Sequence, residues 1–378
     1  MEILIDSRGA SLYKGTGIGT YTHNLLKGLI SIDKENSYHL FCSGPNFDEY
    51  ESTNTKTIMS SKKHKTFFED FYMPNYSKNN NIDIFHVPQN GIGLTENNDQ
   101  TLNIATIHDL IPYVLPETTG PGYLKNFLKK MPNIIENCDG ILTVSEYSKK
   151  DILKFFPSFP SERIFVTPLA TNSNYKPLNK TETLTNVQKR FNFTGDYIMY
   201  IGGFSSRKNV QSLIESFDKI YDKLNSETKL LIVGGLRDEG KRLEALSKTL
   251  KNSDKIIFTG FIEEDYLPTI YSGCKLFVYP SFYEGFGLPP LEAMSCGTPA
   301  LSSNITSIPE VVKIKDLLFD PHSATELEDK LVEILNNKKL LNTLEKKSLE
   351  LSKQFSWENT AINTLNAYQK IYELSKKY

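Results

Sequence analysis

Short apolar runs recur along this chain, and amphipathic segments fall between them. In the first half the runs are 2–6 (EILID), 38–42 (YHLFC), 83–87 (DIFHV), 101–106 (TLNIAT) and 140–144 (GILTV). In the second half they are 196–201 (DYIMYI), 228–233 (TKLLIV), 255–258 (KIIF), 276–279 (LFVY) and 299–301 (PAL). Runs this short and this apolar suit parallel strands covered on both faces. Residues 18–31, 209–224, 239–250 and 324–336 place apolar side chains three and four apart, as a helix requires. Strand alternating with helix defines an α/β fold with parallel sheets. The alternation occurs in both halves, so the chain is expected to form two doubly wound domains.

The expected division is 1–170 for the first domain and 196–355 for the second. The polar stretch 171–195, which holds no apolar run, is expected to link them. Residues 356–378 form a long amphipathic helix that could pack on either domain. Residues 78–81 (KNNN) and 95–100 (TENNDQ) are expected to be exposed loops. A length of 378 residues fits two domains better than one.

Composition narrows the function. A net charge of −2 argues against a dedicated nucleic-acid binder. No apolar run approaches the roughly 20 residues that span a bilayer. The start, MEILIDSRGA, lacks the basic head and apolar middle of a signal peptide, so a cytoplasmic location is expected. The four cysteines, Cys42, Cys138, Cys274 and Cys296, form no C-x-x-C pair and read as buried thiols.

The stretch 280–299 (PSFYEGFGLPPLEAMSCGTP) carries two carboxylates in an unusual setting. Glu284 falls in a glycine-rich loop at the carboxyl end of a strand, where open α/β sheets bind ligands. Pro289 and Pro290 suit a first helical turn, and the amides of such a turn can hold a phosphate. Glu292 lies inside that helix. Carboxylates beside a phosphate site make sense if they accept hydrogen bonds from hydroxyls. The plainer alternative is that Glu284 is exposed and Glu292 pairs locally.

Four further segments stand out. In 201–209 (IGGFSSRKN) two glycines allow a tight turn, and Arg207 and Lys208 follow at a strand-to-helix junction; they could neutralise a departing diphosphate or simply be solvated. In 14–26 (KGTGIGTYTHNLL) Gly15, Gly17 and Gly19 form a glycine-rich loop entering a helix, which is not the dinucleotide fingerprint and could be an ordinary turn. His108 and Asp109 sit at a strand end in 103–116, although a lone histidine is commonly structural. In 258–274 the acidic residues Glu263 and Glu264 could be no more than a favourable helix start.

The run FYEGFGLPPLEAMSCGTP, followed by SSNITSIPEVV, resembles the E-(seven residues)-E signature of retaining nucleotide-sugar glycosyltransferases of family 4. The likeness extends over most of the chain and is strongest from about 196 to 325. It implies the GT-B fold, in which two Rossmann-like domains face a central cleft and the C-terminal helix crosses back to the first domain. It also implies that Glu284 contacts the donor sugar and Glu292 the nucleotide ribose, with amides of Phe286, Gly287 and Leu288 on the diphosphate. Lys208 matches the family's diphosphate-binding lysine. Many members carry an arginine where Gly203 stands, and Arg207 is expected to take its role. Gly17 and Gly19 match the glycine loop near the donor, and His108 matches a histidine near the donor sugar. Asp109 would support it or contact the acceptor, as would Ser145 beside Glu146. The backbone of Ile262 and the side chain of Glu263 or Glu264 would hold the base, with Glu310 a lesser candidate.

No D-x-D pair occurs, so the resemblance implies no cofactor and no essential metal. The combination GTGIGTY, HDLIP and SSRKN is similar to bacterial mannosyl- and rhamnosyltransferases of surface polysaccharides. GDP-mannose is the first expected donor, ahead of a UDP-hexose or a dTDP-deoxysugar. The acceptor would be a hydroxyl of a glycan, a lipid-linked oligosaccharide or a protein. A lipid-linked acceptor would bring the enzyme peripherally to the inner membrane face. A nucleotide-sugar epimerase of the same fold and a non-catalytic sugar- or nucleotide-binding subunit are the rival readings.

Overall fold

The computed structural model describes residues 1–13, 15–44, 47–60, 67–94 and 101–376. The loop expected at 95–100 lies outside them. The chain divides into two compact units, Met1–Leu169 with Phe355–Tyr378, and Ala170–Gln354.

The first unit is built on seven strands: β1 (Glu2–Asp6), β2 (Ser37–Cys42), β3 (Thr55–Met59), β4 (Ile84–Val87), β5 (Leu102–Ile107), β6 (Gly140–Thr143) and β7 (Ile164–Val166). They pair in parallel in the order 3-2-1-4-5-6-7. The five apolar runs of the first half are the five central strands. The two edge strands escape the apolar-run criterion. In β3 only Ile58 is buried, and β7 is three residues long. Helix Met73–Asn79 runs into the expected 78–81 loop, and the turn is completed by Asn81 at φ 49°.

The C-terminal helix Trp357–Ser375 packs on this unit. Thr360 donates to the Pro168 carbonyl at 2.6 Å, and the Tyr368 hydroxyl meets His86 Nδ1 at 2.6 Å. His86 lies fully buried in β4 and also meets the Thr106 hydroxyl at 2.8 Å. Burial drives its imidazole down to about 3, so it is a neutral pin between sheet and helix.

The second unit has six parallel strands: β8 (Asp196–Ile201), β9 (Thr228–Val233), β10 (Ile256–Gly260), β11 (Leu276–Tyr279), β12 (Ala300–Ser303) and β13 (Leu318–Phe319). Their order is 10-9-8-11-12-13. Ile198, Met199, Leu230, Leu231, Phe277 and Val278 are fully buried between helices on the two faces. Each such side chain contributes about 1.5–3 kcal/mol over its exposed state.

Residues 171–195 are not a linker. They begin the second unit and include helix Lys180–Phe191, capped by the Asn179 side chain, which accepts from the Glu182 amide at 3.1 Å. Its period is helical, but only Val187 and Thr183 are buried. So polar a helix reads as loop when apolar runs are the guide. All four cysteines are buried free thiols.

Candidate active site

Both sheets reverse their strand order once, between β1 and β4 and between β8 and β11. At such a point adjacent connections leave in opposite directions and open a crevice outside the carboxyl ends of the strands. In the second unit the loop after β8 brings Arg207 and Lys208 to this point, and the loop after β11 brings Glu284. Their side chains meet. Glu284 Oε1 accepts from Lys208 Nζ at 2.7 Å, Ser281 Oγ at 2.5 Å and Tyr279 Oη at 3.0 Å, and lies 2.9 Å from Arg207 Nη1. Among the described residues every hydrogen bond to the Glu284 carboxylate falls on Oε1. Glu284 is only 9% exposed, and burial alone would raise its carboxyl. The Lys208 and Arg207 cations outweigh burial and hold it below the ordinary value. The exposed alternative for Glu284 is therefore wrong: it is an ionised carboxylate with one oxygen saturated.

Arg207 also donates to the Tyr283 carbonyl at 2.5 Å. It thus braces the Glu284 loop from below. Neither cation is a solvated surface charge. Gly202 turns the chain at φ 147°, whereas a Cβ at Gly203 would meet open space. Nothing steric therefore forbids a side chain at Gly203.

The loop after β12 clamps the Glu284 loop from the other side. The Ser307 hydroxyl hydrogen-bonds the carbonyls of Glu284 and Phe286, both at 2.8 Å, and the Glu284 amide donates to Thr306 Oγ1 at 3.3 Å. Ser303 donates to the Ser281 carbonyl at 2.6 Å. These hydroxyls lie in the segment SSNITS at the end of β12. Glu310, singled out in the same segment, is in the short helix Ile308–Val311.

Helix Leu288–Ser295 starts at Gly287, where φ is 121° and an added Cβ would stand 2.9 Å from Ile308 Cδ1. Pro289 and Pro290 have no N–H, so the amide donors of this helix start are those of Gly287 and Leu288; Phe286 beside them is buried. Glu292 accepts from the Tyr271 hydroxyl at 2.9 Å, and Tyr175 hydrogen-bonds it as well. Burial raises the Glu292 carboxyl to about 8, although the side chain keeps some contact with solvent; the Tyr271 bond opposes the rise and the Glu264 charge adds to it. Tyr175 and Asn172, whose side-chain amide reaches Glu264 at 3.4 Å, come from the stretch expected as a linker. Of the expected base-binding residues, Ile262 is buried, Glu263 is tied to Arg190 at 2.8 Å and Glu264 opens a short helical turn.

In the first unit His108 follows β5. Its Nε2 lies 2.9 Å from the Pro88 carbonyl, which can only accept, so Nε2 carries the proton and Nδ1 the lone pair. Its ring packs edge-on against Tyr21 at 4.8 Å. Burial drives the imidazole down to about 4, so it is neutral near pH 7. Asp109 accepts from the Ile111 amide at 3.0 Å. Ser145 caps helix Glu146–Phe155, accepting from the Ser148 amide at 3.0 Å; its hydroxyl holds the helix start in place. Gly17 and Gly19 are not in a loop. They form the first turn of helix Gly17–Ile32, capped by Thr16, and the left-handed loop residue is Gly15 at φ 79°.

The switch point of this unit holds a feature the sequence reading passes over. Arg8 makes a bidentate pair with buried Asp6 at 2.7 Å through each nitrogen, and also reaches Glu69 at 3.0 Å. Gln89, after β4, donates to Asp6 at 2.6 Å. The segment DSR follows an apolar run, which reads as a strand end and nothing more.

The fold agrees with the comparisons. A profile described as "Glycosyltransferase Family 4" matches residues 15–174, and one described as "Glycosyl transferases group 1" matches 183–350. The chain is 36% identical over 270 residues to an O-antigen chain mannosyltransferase B of Escherichia coli, covering 70% of each. It is 29% identical over 279 residues to the serotype-specific mannosyltransferase WbdA of the same species, covering 72% of this chain and 34% of that protein. Among solved structures, sucrose-phosphate synthase from Thermosynechococcus elongatus superposes with a TM-score of 0.72 at 21% identity over 99% of both chains. The Anabaena protein HepE, in complex with UDP and glucose, superposes with a TM-score of 0.72 at 14% identity over 97% of this chain and 98% of that one. Two parallel-sheet Rossmann-like units of this kind are those of the GT-B fold. The chain belongs to glycosyltransferase family 4.

Proposed function

We propose that this glycosyltransferase moves mannose from GDP-mannose to a hydroxyl of a growing surface polysaccharide, with retention at the anomeric carbon and without an essential metal. The observation that carries the reading is Glu284, whose Oε1 is saturated by protein donors while Oε2 is left to accept from a sugar hydroxyl. The relatives named above, an O-antigen chain mannosyltransferase and a serotype-specific mannosyltransferase, support mannose as the sugar and a surface glycan as the product. A lipid-linked acceptor would bring the enzyme to the inner membrane face. Among the described residues no helix is long and apolar enough to cross a membrane.

In this reading the amides of Gly287 and Leu288 and the cations Lys208 and Arg207 hold the diphosphate, and Glu292 accepts from or donates to the ribose. The bond from the anomeric carbon to phosphate oxygen breaks, and its electron pair leaves with the diphosphate. The acceptor hydroxyl oxygen bonds to that carbon on the same face, and its proton passes to the departing phosphate. Charge grows on the diphosphate as it leaves, so fixed cations lower the barrier. His108 Nδ1 can accept from a sugar hydroxyl.

Glu284→Gln tests the site. It leaves Lys208 and Arg207 without their carboxylate, so stability is expected to fall by about 2–4 kcal/mol. Turnover should drop at least about a hundredfold, while GDP should stabilise the variant against heat as much as the parent or more. Unchanged turnover would remove Glu284 from the reaction. Thermal shifts with GDP, UDP, dTDP and their sugars identify the base, and turnover undiminished by EDTA checks the metal-independent reading.

A further inference from the structure

The turn after β4 does more than end a strand. In it the Ile92 amide donates to the Gln89 carbonyl at 3.0 Å. Its central residues, Asn90 and Gly91, stand at φ 52° and 68°. Asn-Gly suits two successive left-handed residues, so the turn by itself would account for an asparagine here. It does not account for what the side chain does. Asn90 is 3% exposed, and its Oδ1 accepts from the His108 backbone amide at 2.9 Å. Its Nδ2 lies 3.4 Å from the Tyr123 hydroxyl. Only an oxygen can face the His108 amide, which fixes the way the Asn90 side chain points.

His108 is held at three further points. The Pro88 carbonyl, two residues before Asn90, accepts the Nε2 proton at 2.9 Å. The Ser148 hydroxyl donates to the His108 carbonyl at 3.2 Å, and Tyr21 packs edge-on against the ring. Every polar atom of His108 except Nδ1 is thus committed. The pairing of β4 with β5 ends at Val87 and Ala105. Beyond it the bonds from His108 to Asn90 and to Pro88 join the two strand ends. They work together. The Asn90 bond sets where the His108 backbone stands relative to Pro88, and the ring reaches the Pro88 carbonyl only from that place.

We propose that Asn90 is a positioning residue for the transfer: its side-chain carbonyl fixes His108 so that Pro88 holds the ring in one tautomer and Nδ1 is left to accept from the sugar. The proposal rests on the reading of His108 given above for its effect on turnover, but not for its effect on the ring. Asn90→Gly tests it, because glycine takes the same φ without the amide. A residue kept for its backbone alone would lose nothing by the change.

The chain has six histidines, so 15N-histidine spectra are simple enough to read, and the His108 signal is the one missing from His108→Asn. The full-length parent should show the Nε2–H tautomer alone, and Asn90→Gly should show both tautomers in exchange. In transfer from GDP-mannose, Asn90→Gly should lower kcat at least about tenfold and leave the KM for the donor within about twofold. In a His108→Asn background the same change should cost less than about twofold, because nothing is left to position. Asn90→Asp keeps an oxygen for the His108 amide and should hold turnover within about threefold of the parent. An unchanged His108 signal in Asn90→Gly overturns the proposal whatever the kinetics. So does a loss of turnover that is as large without His108 as with it, which would make Asn90 a residue of the fold only. Full turnover in His108→Asn overturns the reading of His108 and removes Asn90 from the reaction with it. If the parent transfers nothing from GDP-mannose, it is the donor reading that fails, and the spectra alone decide whether Asn90 holds the ring.

Discussion

At the scale of single residues, the two glutamates of one signature are held in opposite states. Glu284 is buried but faces two cations and stays ionised; Glu292 is surrounded by tyrosines and is raised to about 8. This makes Glu292 a pH-dependent liability in the free protein. Its folded value lies above the unfolded one, so its contribution is complete below about 4.5 and is lost as pH rises through about 8. Glu292→Gln cannot ionise. The variant should stay within about 1 kcal/mol of the parent near pH 5 and exceed it by about 4 kcal/mol near pH 8.5; thermal melts at the two pH values check this. A gap that is constant with pH would mean that Glu292 is ionised in the folded protein. His108 gives the reverse expectation. Its imidazole is depressed to about 4 and its tautomer is fixed by the Pro88 carbonyl, so it does not titrate near its ordinary value. The pH profile of kcat/KM should show no limb near about 6.5 that His108→Asn removes. If such a limb exists, the imidazole acts as a proton carrier and not as a fixed acceptor.

At the scale of elements, the site is three loops after β8, β11 and β12 locked to one another. Ser307 is the tightest link, because a single buried hydroxyl serves the carbonyls of Glu284 and Phe286. Ser307→Ala leaves those carbonyls with one partner fewer and should cost about 1–3 kcal/mol. Its effect should fall on kcat more than on donor affinity, since the loop that aims Glu284 is loosened while the cations remain; steady-state kinetics on the folded variant separate the two. The sequence shows the two glutamates plainly, because carboxylates among glycines and prolines stand out. It also shows the central strands, since strands buried on both faces are continuous apolar runs. It does not show Ser281, Ser303, Thr306 and Ser307, because a serine that bonds a distant carbonyl looks like any loop serine. Edge strands β3 and β7 and the polar helix Lys180–Phe191 are hidden for a related reason. Each buries too little to leave a pattern. The Asp6–Arg8 pair is concealed by adjacency: two residues apart, they read as a strand end, and only the fold shows them closed on Gln89 and Glu69.

At the scale of the whole molecule, the two units differ in how the chain builds them. The second is one continuous segment, Ala170–Gln354, with its own sheet and core and the cluster around Glu284. The first is completed only by the last residues of the chain. Helix Trp357–Ser375 fills places that small residues leave open for it. Ile371 packs so closely on Gly140 that a Cβ there would stand 2.2 Å from Ile371 Cδ1, and Ala361 stands 3.0 Å from the same position on Gly28. Tyr368 and Thr360 add buried hydrogen bonds to His86 and Pro168. Removing the helix would uncover those sites and leave His86 Nδ1 without its partner. The two pieces should therefore behave differently. Residues 170–354 expressed alone should melt cooperatively and, on the proposed reading, be stabilised by the same nucleotide as the full chain. Residues 1–169 alone should lack a cooperative melt, and joining 355–378 to them through a flexible linker should restore one. Circular dichroism melts of the three pieces decide the matter. A cooperative transition for 1–169 alone would show that the returning helix is an addition to a finished unit and not a part of its core.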